Sequence, residues 1–143
     1  MNRRTLLQTL SAALFLPLSG AMRGTRQEAD METVYELRIY HVVPGKLDAL
    51  RARFRDHTMK LFERHGMKNM AYWTPVDEPQ KGNTLIYILQ HPSRTAAVEN
   101  WKAFQDDPEW KSVKTKSEEN GKLVEKVDST YMSLTDFSPR LRS

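Results

Sequence analysis

The chain has 143 residues, 39% hydrophobic and 28% charged, which is globular composition with room for one domain. Its formal charge of +4 falls to +2 beyond residue 21, because Arg3 and Arg4 are two of the 22 basic side chains, against 18 acidic ones. That balance, with no basic stretch interleaved with aromatics, argues against nucleic-acid binding, and the absence of cysteine excludes disulfides, thiolate metal sites, a cysteine nucleophile and a lipid-modified N-terminal cysteine.

Residues 1–21, MNRRTLLQTLSAALFLPLSGA, have the pattern of a removable leader. Two arginines precede a short apolar run from Leu10 to Leu18, and Ser19 and Ala21 stand at the −3 and −1 positions of a small-residue cleavage site. The run is shorter than the roughly 20 residues that span a bilayer, so no stable membrane span is expected once the leader is removed; a retained anchor is the alternative. Arg3-Arg4-Thr5-Leu6-Leu7 resembles the twin-arginine signal of bacteria, which implies export to the periplasm or beyond. Residues 22–32 are polar and aperiodic and are read as a flexible linker; the folded domain is expected over residues 33–139.

Val34 to Val43 alternates with period two, with Tyr35, Leu37 and Ile39 on one face and Glu36, Arg38 and Tyr40 on the other. Pro44-Gly45 ends this first strand. Lys46 to His65 carries Leu47, Leu50, Phe54 and Leu61 at helical spacing, and Gly66 supplies a C-cap. Met67 to Val76 forms a second strand, and residues 77–83 a polar hairpin loop. Thr84 to His91 is the most apolar run, expected as a central strand buried on both faces. A second helix runs from Pro92-Ser93 to about Phe104, with Ala97, Trp101 and Phe104 as its inner stripe. Asp107-Pro108-Glu109 opens a further short helix with an acidic cap and proline at its first position. A fourth strand falls between Val124 and Asp136.

The order β-α-β-β-α-β with an extra short helix is the ferredoxin-like α+β arrangement, a four-stranded antiparallel sheet with its main helices on one face. The other face is expected to carry Tyr40, Ile86 and Ile88, too apolar to leave in water, so self-association as a homodimer follows.

The strongest chemical constellation is Glu36, Arg38 and Tyr40, two residues apart on one strand. On the face turned away from the helices, two uses remain open. Glu36 and Arg38 could neutralise each other structurally, or Arg38 could hold an anionic or carbonyl group of a ligand. His41 is expected on the helix side, His91 as a cap of the second helix or at the rim of the sheet, and His57 and His65 as partly exposed or packing residues. None has a second metal ligand at close spacing, so no protein-bound metal is expected; a single axial histidine to haem is the one cofactor reading left open. Trp101 belongs to the core, and Trp73 to the core or to a cavity wall. No G-x-S-x-G elbow or glycine-rich phosphate loop is present.

Tyr35-Glu36-Leu37-Arg38-Ile39-Tyr40 with Pro44-Gly45-Lys46, Trp73, Asp107-Pro108-Glu109-Trp110 and Thr135-Asp136-Phe137-Ser138-Pro139 together resemble the NIPSNAP family, within the dimeric α+β barrels. The resemblance implies two subunits pairing their sheets into a barrel, and it implies little about activity. Two functions are compatible with it. One is a dimer-enclosed cleft that binds a small apolar or aromatic molecule, with Glu36, Arg38, Tyr40 and Trp73 as candidate ligand-binding residues. If that cleft were catalytic, cofactor-free oxygenation or isomerisation would suit it, Glu36 and Tyr40 handling protons and Arg38 an oxyanion. The other is a non-catalytic structural or protein-interaction module with a packed interior.

Overall fold

A computed structural model describes residues 32–141. The leader, its cleavage site and all but the last residue of the 22–32 segment lie outside the described residues. Strand β1 (Val34–Val42) ends at Pro44-Gly45 and leads into α1 (Leu47–Arg53), which passes through a π-helical turn (Phe54–Thr58) into α2 (Met59–Arg64). Strands β2 (Lys68–Trp73) and β3 (Thr84–His91) follow, then α3 (Arg94–Asp106), α4 (Pro108–Ser117) and β4 (Val124–Met132). The sheet is antiparallel in the order β2-β3-β1-β4, the ferredoxin-like α+β arrangement expected from the sequence.

The first helical segment is a single rod with one irregularity. At the π turn the Met59 N–H reaches the Phe54 carbonyl, and the Thr58 hydroxyl donates to the Arg53 carbonyl at 3.2 Å. Phe54 and Thr58, the first and last residues of this wider turn, are both buried. The rod stops at Gly66, whose φ of +74° is open to glycine and costly for other residues; a Cβ there would lie 2.9 Å from the Asn100 side chain on α3. Ser93 caps α3 by accepting from the Ala96 N–H at 3.0 Å, and Asp107 caps α4 by accepting from the Glu109 N–H at 2.7 Å.

The core lies between these helices and one face of the sheet, with Leu50, Phe54, Leu61 and Phe62 from the rod meeting Leu85, Tyr87 and Leu89 of β3 and Phe104 of α3. Two expectations are corrected here. Strand β3 is central, but past the buried Thr84 at its start only its helix-side residues are buried; Ile86, Ile88 and Gln90 are half-buried, because no described layer covers the second face. The alternation along β1 also holds with its sides exchanged. Glu36, Arg38 and Tyr40 point under the helices, Tyr40 packing edge-on against Phe54, while Tyr35, Leu37 and Ile39 take the open face. His41 moves with them, pairing there with Asp128 at 2.7 Å, and Asp128 also receives Lys126 at 2.7 Å. The charged residues occupy the covered face because hydrogen bonds and aromatic rings satisfy them there.

Candidate functional site

Two features stand on the helix face of the sheet. The first is built around Glu36, which has no solvent exposure. The β1–β3 register places Val34 opposite His91, and the β1–β4 register places Arg38 opposite Ser129, so two strands bring a donor to the same carboxylate. Oε1 accepts from Arg38 Nη1 (2.7 Å) and Ser129 Oγ (2.7 Å). Oε2 accepts from His91 Nε2 (2.9 Å) and Trp101 Nε1 (2.6 Å), so α3 closes the cluster from above. Burial by itself would push this carboxyl up, but the bonds from His91, Ser129, Trp101 and Arg38 outweigh it and hold the group at about 2.

Arg38 lies under the Trp101 indole, 4.2 Å from the ring centroid, with Tyr40 on its other flank at 5.6 Å. Desolvation pulls its pKa down, but Tyr87, Tyr40 and Glu36 raise it further, so it stays charged. Tyr87 donates to the Tyr40 hydroxyl at 3.0 Å, and Tyr72 stacks on Tyr87 with centroids 5.0 Å apart. Burial raises both the Tyr72 and Tyr87 phenols, so neither supplies a phenolate near neutral pH. A carboxylate with a pKa near 2 and four donors is poorly matched to proton abstraction at pH 7, where a useful general base titrates close to neutrality. Arg94 covers Tyr131 at 3.7 Å, beside the His91 ring, and continues the aromatic and cationic layer toward the β4 edge.

The second feature is a pocket of about 360 Å³ at the opposite edge of the sheet, between the helical rod and the end of β2. The buried Phe54 and Leu85 and the half-buried Tyr72 form its floor, the half-buried Met59 lines it beside them, and the exposed Trp73 and Thr74 lie at its mouth. Arg51 and Arg55, one turn apart on the rod, complete the wall. The volume lies near the lower end of the ~300–1,000 Å³ typical of small-molecule sites.

Of the four residues singled out from the sequence, Glu36, Arg38 and Tyr40 therefore meet in the buried cluster, while Trp73, 48% exposed, stands at the pocket. The cluster and pocket share an aromatic wall, since Phe54 contacts Tyr40, Tyr72 and Tyr87. His91 is neither helix cap nor rim residue: Ser93 takes the cap, and His91 is buried on Glu36. His65, expected as a partly exposed or packing residue, bonds Asp107 at 2.7 Å, and Trp101 packs on the core while lending its N–H to Glu36. Arg51, Arg55 and Met59 were overlooked as site residues; their spacing of four along one helix was the signal for a shared face. Among the described residues no group of three or more His, Asp or Glu is placed to hold a metal ion, and no helix is long and apolar enough to cross a membrane.

No curated protein matches this chain. Solved structures do. A NIPSNAP-like domain protein from Burkholderia xenovorans superposes with a TM-score of 0.66 at 16% identity, over 78% of this chain and 93% of that one. A NIPSNAP family protein of unknown function from Agrobacterium tumefaciens gives 0.65 at 21% identity, over 78% and 96%. A second Agrobacterium tumefaciens NIPSNAP family protein gives 0.65 at 19% identity, over 76% and 98%. At such identities the likeness is one of fold. The NIPSNAP family model matches residues 35–139, most of the chain, and on that match the protein belongs to the NIPSNAP family.

Proposed function

We propose that this chain is an exported NIPSNAP-domain protein that pairs with a second copy through its open sheet face and binds a small apolar or aromatic molecule. The observation that carries the binding reading is the pocket of about 360 Å³ with its floor of Phe54, Tyr72 and Leu85. Trp73 stands on the edge strand beside that pocket and opposite Ile86 of the open face, so a partner laid on that face would help enclose its mouth. Glu36 and Arg38 serve this reading as a rigid support for the aromatic wall. The proposal includes no cofactor. His91 is a poor axial ligand for haem, since its Nε2 is committed to Glu36 and the ring has no exposure.

Native mass spectrometry of the protein purified from its own cell tests ligand and stoichiometry together. The expected species is a dimer retaining a small organic molecule; a ligand-free monomer would overturn the reading. The export part rests on Arg3, Arg4 and the Ser19/Ala21 site, which predict a mature terminus at Met22. Sequencing of exported protein from its N-terminus checks the cleavage, and undiminished export of the R3K/R4K variant would reject the twin-arginine route. A second reading, a non-catalytic interaction module, is favoured by the saturation of Glu36 with four donors, which occupies both oxygens of that carboxylate.

A further inference from the structure

Arg51 and Arg55 stand one helical turn apart at the wall of the pocket. Like charges at that spacing repel one another and destabilise a helix unless something neutralises them. The chain does little of that. Arg55 has no hydrogen-bond or ion-pair partner among the described residues, and Arg51 has only a long 3.4 Å bond to Asp48, itself almost wholly in solvent. No acidic side chain lines the pocket. The Tyr72 hydroxyl is already given to Asn69 at 2.5 Å, and among the described residues the two guanidinium groups are the only charged donors the pocket offers.

Their setting narrows the class of anion. A planar guanidinium pair suits a carboxylate, which it can grip through parallel N–H bonds. The floor below is made of aromatic and aliphatic side chains, a poor surface for a multiply charged phosphate ester, and no glycine-rich loop supplies backbone N–H groups. The π turn adds the last element: its closing backbone bond joins Met59 to Phe54, and both line the pocket, so a thioether and an aromatic ring are offered together, a pair suited to a flat aromatic body.

Building on the binding reading above, we infer that the pocket takes a planar aromatic monocarboxylate of one or two fused rings. Arg51 and Arg55 receive the carboxylate, and Phe54, Met59 and Trp73 hold the rings.

Calorimetric titration of the purified full chain with 2-naphthoate and with its neutral counterpart 2-naphthalenemethanol tests this. The native protein should bind the carboxylate at least about tenfold more tightly than the alcohol, the size expected of a charge-assisted contact. The variant R51Q/R55Q alters two exposed side chains and should stay folded; it should erase that difference, the carboxylate then binding no more tightly than the alcohol does. Thr74→Trp, which fills the mouth, should abolish binding of both probes. Equal affinity of the two probes for native protein, or a preference that survives R51Q/R55Q, overturns the carboxylate assignment while leaving the pocket. If neither probe binds native protein, or both still bind after Thr74→Trp, the pocket reading falls with it.

Discussion

Glu36 is held at about 2 in the folded chain against an ordinary 4.5, and the direction of that difference fixes its role in acid. The group is more acidic folded than unfolded. Its contribution is complete above about pH 4.5 and is lost as pH falls toward 2. Four donors on one buried carboxylate therefore make roughly 3 kcal/mol of stability vulnerable in that window. Glu36→Gln should remove most of this acid dependence and also lower stability at pH 7 by about 3–5 kcal/mol. The amide faces a dilemma: turned one way its NH₂ meets Trp101 Nε1, turned the other it meets Arg38 Nη1, and neither of those groups can accept. Urea unfolding of native and variant protein at pH 7, 4 and 2.5 checks both statements. An unchanged midpoint at pH 7 would show that the cluster is not holding the helices to the sheet.

At the scale of elements, the strands and helices were legible in the sequence because each carried a clear period and clear punctuation. Thr84–His91 matched its expected bounds, and the acidic cap and proline opened α4 where expected. What stayed hidden was the side each face of β1 takes. Alternation separates Glu36, Arg38 and Tyr40 from Tyr35, Leu37 and Ile39, but it cannot say which set lies under the helices when the charged set has buried partners. Those partners, His91, Trp101 and Ser129, come from distant segments and become neighbours only once strand register is known. The pocket was hidden for a related reason: the spacing of Arg51, Arg55 and Met59 marks one face of the rod, but the Tyr72, Trp73 and Leu85 that complete the pocket come from separate strands. The division of labour at α3 is a checkable case. Ser93, not His91, caps that helix, so Ser93→Ala should cost about 1 kcal/mol in thermal or urea unfolding. His91→Ala should act through Glu36 instead, and combined with Glu36→Gln its cost should fall well short of the sum of the two.

The whole molecule is a layer of helices over a sheet whose second face is uncovered by any described residue. Leu37 and Ile39 lie there opposite Ile88 and Ile86, an apolar strip beside the polar side chains of His41, Asp128 and Lys126. If two copies meet on that strip, Ile88→Asp should weaken their association by at least about tenfold, since a charge would be buried without a partner. Sedimentation of native and variant protein measures this, and a stable native monomer at micromolar concentration would argue against pairing. The placing of the three tryptophans carries a practical consequence. Trp101 is bonded to Glu36, Trp110 lies within 5.2 Å of the Arg53 guanidinium and against Phe104, and Trp73 is half in solvent at the pocket. The chain therefore contains two separate optical gauges. Iodide should quench Trp73 selectively, making its emission a readout of occupancy, while a Trp73→Phe protein should fluoresce from the other two indoles alone and report only whether the fold is intact.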